Sequence, residues 1–145
     1  DAVDRVEASS LSRAHESAQI VAPGFEVMLE DDLREVHFGR WEGLTADEIQ
    51  ALAPKLFARW RKSLKDFNYP EGERRADFLA RVQGGIDRRL PASGRNATLL
   101  VAAHKGGSRG VVAHRAGQEL PDGVTRPIRV FEVGGVARPR EHGDC

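Results

Sequence analysis

The 145-residue chain has one cysteine, Cys145, at its last position. It therefore cannot close an intrachain disulfide, and nothing in its composition asks for an oxidising compartment. It also has no excess of charge. Lysine plus arginine number 22 and aspartate plus glutamate number 22, which argues against a protein that coats nucleic acid or rests on an anionic membrane. Long apolar runs are missing as well. The longest, Leu99 to Ala103, is far too short to cross a bilayer. The start, Asp1 to Val6, is charged, has no signal-like apolar stretch and carries no methionine, so the natural N-terminus is expected further upstream. No repeat or low-complexity stretch interrupts the chain. With 40% hydrophobic and 30% charged residues, what remains is a soluble single domain over 1–145, expected in the cytoplasm.

The apolar pattern alternates between strand and helix. Val3 to Ala8 and Phe25 to Leu29 read as strands flanking a helix from Leu11 to Val21, which Pro23-Gly24 stops. Asp31 to Gly43 reads as a loop. Thr45 and Glu48 form a capping box for a short helix whose apolar side is Ile49 and Leu52. Leu56, Phe57, Trp60 and Leu64 share one face of a second helix that opens near Pro54. After a turn-rich loop from Asn68 to Glu73, the stripe Phe78, Leu79, Val82, Ile86, Leu90 marks a long helix ending near Pro91. Ala97 to Ala103 is continuous and apolar, as a buried parallel strand should be. Gly106-Gly107 precede an expected helix from Ser108 to about Ala116, capped by Gly117, and Ile128 to Ala137 suggests a closing hairpin. The class is α/β with a mostly parallel sheet.

Three segments carry chemistry. In the run Leu99 to Arg109, His104 stands where a strand ends and glycines open a helix, the edge at which open α/β sheets bind ligands. A helix start there offers free N–H groups to an anion; the bland alternative is a polar residue ending a strand. There is no Walker loop and no dinucleotide fingerprint. In Ala8 to Ala18, Arg13 occupies the first turn of a helix, where the dipole disfavours a cation, a position explained by an anion held there or simply by solvation. In Leu33 to Gly43, Glu35 shares a loop with Phe38 and Trp41. A carboxylate beside aromatic rings can serve as a general acid; otherwise the two rings plug the edge of the core.

Together and in this order, these segments resemble the histidine phosphatase superfamily, which includes the cofactor-dependent phosphoglycerate mutases. Ser9-Ser10-Leu11-Ser12-Arg13-Ala14 through Ser17-Ala18 is similar to the family's S-P-L-x-R-A-x-x-T-A. Leu33 to Thr45 is similar to L-x-E-x-x-F-G-x-W-E-G-L-T, Pro70-Glu71-Gly72-Glu73 to P-x-G-E-S, and Ala103-His104-Lys105-Gly106 to the second-histidine motif in an H-K-G form. The resemblance implies a three-layer α/β/α sandwich and a phosphatase that hydrolyses a small phosphorylated metabolite through a phosphohistidine. By motif position, Arg13, His104 and Lys105 would bind phosphate, with His104 and Glu35 as catalytic residues and Glu35 as the proton donor. Phosphoryl transfer mostly requires positioning and cations around the equatorial oxygens, which arginine's fork suits.

The departures are specific. The family's first histidine sits in an R-H-G motif at the end of a first strand. The chain has no such motif, so about fifty family residues are expected ahead of it, by comparison with a βαβ unit of 30 or more. Arg140-Glu141-His142-Gly143 has an inserted glutamate and reads as tail. Ser10 in place of proline is expected to loosen the turn, and Arg74 in place of serine to alter the pocket mouth or do nothing. Two other readings stand beside the phosphatase: a mutase-type phosphotransferase, and a non-catalytic phosphate-binding relative. His15, His37 and His114 read as surface or structural residues, with no metal site and no cofactor. Arg59, Arg61, Lys62 and Lys65 read as a solvated face or as a collar steering anions. A small phosphorylated substrate is the expected partner, with a second copy of the chain as the candidate protein partner.

Overall fold

In a computed structural model, residues 3–63, 67–92 and 97–107 are described. Three parallel strands, β1 (Arg5–Ser9), β2 (Val27–Glu30) and β3 (Leu99–Ala102), form a sheet in the order β2-β1-β3. Helix α1 (Ser12–Val21) connects β1 to β2, and α2 (Ala46–Leu52), α3 (Pro54–Lys62) and α4 (Arg75–Ala92) lie between β2 and β3. This is the parallel α/β arrangement expected. Among the described residues, no helix is long and apolar enough to cross a membrane.

Two cores lie against the sheet, with Leu100 and Ala102 of β3 packed on one and Val101 on the other. Successive side chains of a strand point to opposite faces. Val6 and Ala8 pack with Ala18 and Ala22. Ala14, Ala18 and Ala22 recur every four residues and are all buried, so α1 meets the sheet through small side chains and its backbone can approach closely. The larger core gathers Leu33, Val36, Trp41, Phe57, Phe67, Tyr69, Phe78, Val82 and Ile86, with Val101 against it. Its centre is aromatic: Trp41 stacks on Phe67 at 5.3 Å and meets Tyr69 edge-on at 5.8 Å. The Trp60 indole N–H donates to the Tyr69 hydroxyl.

Several expectations shift. The first two strands run Arg5–Ser9 and Val27–Glu30, so Phe25 precedes its strand and is exposed. The Asp31 to Gly43 loop contains two 3-10 turns, Asp31–Leu33 and Gly39–Trp41. The Thr45/Glu48 capping box forms, but Leu52 is exposed because only Ile49 of this two-turn helix reaches the core. The apolar strand β3, expected to be buried, has every residue only half-buried, and β1 lies between β2 and β3. A helical turn opens already at 105–107, so Gly106 and Gly107 lie inside it rather than ahead of it. The expected helix beyond Ser108, the hairpin of 128–137, Leu64, Lys65, His114 and the Arg140 to Gly143 tail lie outside the described residues.

The middle position of β1 buries Glu7 completely. Arg5 Nη2 lies 2.9 Å from its Oε1, yet neither carboxylate oxygen makes a hydrogen bond. Burial raises the Glu7 pKa, and Arg5 and Arg89 offset part of that rise. A carboxyl whose pKa is higher folded than unfolded stabilises the fold below about 4.5, and that contribution fades as pH rises through the folded value. Glu7→Gln does not titrate. Its melting temperature should therefore gain on that of the parent between pH 5 and pH 8, measured by calorimetry. An offset constant across that range would refute the assignment.

The loop bearing Glu35 is fixed by a close backbone crossing. Gly39 has φ +58°, and a Cβ on it would lie 2.1 Å from the Pro70 carbonyl. A Cβ on Gly72 would lie 2.4 Å from the His37 carbonyl. Arg40 N–H donates to Pro70 O and Glu73 N–H to His37 O across the same crossing. Gly72→Ala should destabilise the protein by about 3 kcal/mol in urea unfolding; a loss under about 0.5 kcal/mol would show that the crossing gives way freely.

Candidate active site

Parallel strands end at one edge of a sheet, and the residues following each end here. Arg13 follows β1, residues 31–38 follow β2, and His104 follows β3. A cleft of ≈ 590 Å³ opens at that edge, lined in part by Arg13, Arg34, Glu35, Glu73 and Arg81. No side chain caps the N-terminus of α1, and its first turn holds no acidic residue. Arg13 is exposed there, and its guanidinium makes no hydrogen bond or ion pair among the described residues. An uncapped helix start with an unpaired arginine suits an anion. Ser10 stands where the family's motif has proline. Its hydroxyl donates to Asp31 Oδ1 at 2.5 Å and ties the exit of β1 to the exit of β2.

Arg81 also lines the cleft but is fully engaged. Its Nε and Nη2 donate to the two oxygens of Glu73 at 2.9 and 2.8 Å. Its Nη1 donates to the carbonyls of Asp32 and Arg34 at 2.8 and 3.1 Å. Its guanidinium also lies over the Phe78 ring. Burial pushes the Glu73 carboxyl up, but the hydrogen bonds from Arg81 and from the His37 backbone prevail and hold it below the usual carboxylate range. The Glu73 of the P-x-G-E segment is thus a wall-builder, bracing the loop that carries Glu35.

Glu35 is half-buried, and its Oε1 accepts from the Val36 N–H at 3.0 Å. It reaches the turn after β3 as well: a Cβ on Gly106 would stand 3.1 Å from Glu35 Oε1 and 3.3 Å from Arg75 Nη1. Glycine at 106 leaves room for this close approach. His104 is buried, with Nε2 2.9 Å from Ser9 Oγ. Burial, and then the positive charge of Arg13, lower its pKa from 6.5 to about 4. The ring is therefore neutral at pH 7, and Arg13 is close enough to be felt.

Lys105 is exposed at the start of the 105–107 turn. Arg34, Arg75 and the bracing Arg81 were not singled out from sequence. Arg34 and Arg75 adjoin Glu35 and Arg74 in motifs that were recognised, and only the fold shows which arginines face the cleft or the Gly106 turn. Arg74 does not line the cleft; it is exposed just ahead of α4, 4.0 Å from Asp77 in the first turn of that helix. His15 is half-buried on α1, and His37 is exposed and reaches Glu73 through its backbone. Arg59, Arg61 and Lys62 are exposed and do not line the cleft.

The model of the histidine phosphatase superfamily (branch 1) matches residues 1–136, and the chain belongs to that family. It is 39% identical over 101 residues to the Bifunctional protein Rv2228c of Mycobacterium tuberculosis, covering 68% of this chain and 27% of that protein. It is 28% identical over 104 residues to Phosphoserine phosphatase 1 of Hydrogenobacter thermophilus, covering 70% and 49%. Among solved structures, mycobacterial glucosyl-3-phosphoglycerate phosphatase superposes with a TM-score of 0.70 at 25% identity, covering 84% of this chain and 61% of that one. The chain thus spans from about a quarter to three fifths of the length of these relatives.

A buried histidine with a depressed pKa favours folding above its unfolded value of 6.5, and that contribution is lost as pH falls toward about 4. Between pH 7 and pH 4.5 the protein should lose about 2 kcal/mol more stability than His104→Gln loses. Urea unfolding at the two pH values measures the difference, and parallel losses in the two proteins would contradict the burial argument.

Proposed function

We propose that the protein is a phosphatase that hydrolyses a small phosphorylated metabolite through a phosphohistidine intermediate. The observation that carries this reading is a cleft at one edge of a parallel sheet lined by Arg13 and Glu35, with His104 buried close enough to Arg13 to feel its charge, in a chain of this family. The phosphatases among its relatives lend it weight. Arg13 would clamp the phosphoryl oxygens, with Arg34 as a further free cation in the cleft. His104, neutral, would contribute a hydrogen bond rather than a charge. Lys105 would add an exposed cation near the mouth. The nucleophilic nitrogen forms its bond to phosphorus as the ester oxygen leaves, and Glu35 gives that oxygen its proton. Water then cleaves the phosphohistidine and releases inorganic phosphate. No histidine of the 145 residues stands in an Arg-His-Gly motif, and the attacking group is part of the proposal for the whole protein. A cytoplasmic setting fits the lone cysteine.

The test uses the full-length protein with two substrates, p-nitrophenyl phosphate and an alkyl phosphate. Arg13→Ala and His104→Ala should each lower kcat/KM on both by about a hundredfold or more. Glu35→Gln should cost 10²-fold or more on the alkyl ester and far less on the aryl ester, roughly in line with general-acid catalysis, because nitrophenolate departs without a proton. Unchanged rates in the Arg13 and His104 variants would sink those assignments. Phosphate binding without turnover would instead mark a non-catalytic phosphate-binding relative, and transfer to an organic acceptor in preference to water a mutase-type enzyme.

A further inference from the structure

The Ser9 side chain is fully buried, and its hydroxyl lies 2.9 Å from Nε2 of the buried His104 ring. The Leu11 backbone N–H donates to the same oxygen at 3.3 Å, so one lone pair is already engaged and the hydroxyl proton is free to be given. Among the described residues, no other side chain hydrogen-bonds to this oxygen. Phosphoryl transfer as read above makes no use of it.

We propose that Ser9 is a positioning residue for His104: its hydroxyl donates to Nε2, fixes the ring and places the ring's one proton on Nδ1. A neutral imidazole has one donor and one acceptor nitrogen, and the bond made by one nitrogen sets the state of the other. A phosphoryl group offers only acceptors. A ring presenting a lone pair repels it, whereas a ring presenting Nδ1–H donates to it. Ser9 therefore determines which of two chemically opposite faces the ring offers. The arrangement is local and rigid, because Ser9 ends β1 in the middle of the sheet and His104 follows β3, its hydrogen-bonded neighbour. Arg13, on the helix that follows Ser9, supplies the charge that the neutral ring does not. The catalytic meaning of this assignment rests on the phosphatase reading; the hydrogen bond and the tautomer do not.

The experiment is an imidazole nitrogen–proton correlation spectrum of the full-length protein labelled with ¹⁵N at histidine, recorded at pH 7, with His104→Gln to assign the signals. The expected result is protonated Nδ1 and bare Nε2 at His104 in the parent and in Ser9→Thr, which keeps the hydroxyl. Ser9→Ala should show a mixture of the two tautomers. Affinity for inorganic phosphate should fall about tenfold in Ser9→Ala and return to within about twofold of the parent in Ser9→Thr. A parent ring protonated at Nε2 overturns the proposal whether or not any variant folds, and so does a Ser9→Ala spectrum identical to the parent's. A parent that shows the Nδ1–H tautomer but binds no phosphate and hydrolyses no ester refutes the phosphatase reading while upholding the Ser9 assignment.

Discussion

The bidentate pair between Arg81 and Glu73 is the constraint on which the shape of the cleft depends. Arg81 projects from the middle of α4, whose Phe78, Val82 and Ile86 are buried in the larger core. Its guanidinium therefore has a fixed origin, and it spends its donors on Glu73 and on backbone carbonyls after β2. Those carbonyls belong to a segment that cannot satisfy itself, because a loop leaving a sheet edge has polar groups without ladder partners. Glu73 in turn accepts from the His37 N–H. One guanidinium thus ties the start of the Glu35 loop directly to α4 and its far side indirectly. The pair is only partly exposed, with relative side-chain exposures of 25% and 20%, so water screens it less than it would a surface pair.

That bracing sorts the charges of the cleft. Arg81 is neutralised by Glu73 and lends no attraction to a ligand. Arg13 and Arg34 have no such carboxylate partner among the described residues. Asp31 is engaged by Ser10, and Asp32 by Arg88. Of the carboxylates lining the cleft, Glu73 and Asp32 are ion-paired, while Asp31, Glu35 and Glu42 accept only from neutral donors, so the unpaired cations Arg13 and Arg34 share the cleft with unpaired carboxylates. The same logic explains a neutral His104. A second full charge buried behind Arg13 would be repelled by it and stripped of water, and the ring sheds its proton instead.

Much of this was legible from sequence because it rests on local rules. The Thr45/Glu48 box, the proline opening α3 and the Phe78 to Ile86 stripe each encode their structure within a few residues. Arg13 and His104 were legible because each stands just past a strand, and parallel strands bring such positions to one edge. What could not be read is long-range. Strand order is not a local property, and nothing near Glu7 in the sequence shows that β1 lies between β2 and β3 and buries that carboxyl. Arg81, on a helix far from β2 in sequence, gives no sign that its guanidinium will close on the loop at Asp32 and Arg34. Gly106 reads as a place of close backbone approach, and only the fold shows that the groups brought close are Glu35 and Arg75.

Glu7 and Ser9 occupy the same face of the middle strand, two residues apart. Each brings a titratable group into the interior, its own carboxyl in one case and the His104 ring in the other. Their linkages to folding run in opposite directions. The neutral imidazole withholds stability as pH falls below 6.5, while the neutral carboxyl withholds it as pH rises above 4.5. Both groups resist charging for the same reason, the loss of water, yet one resists by keeping a proton and the other by releasing one. In the folded sheet both are uncharged between the His104 value of about 4 and the raised value of Glu7. Above that window Glu7 ionises against burial with only Arg5 and Arg89 to offset it, and below it His104 ionises against burial and Arg13 together. An anion in the cleft would shift the lower limit, because it would counter the charge of Arg13 and make a protonated His104 less costly.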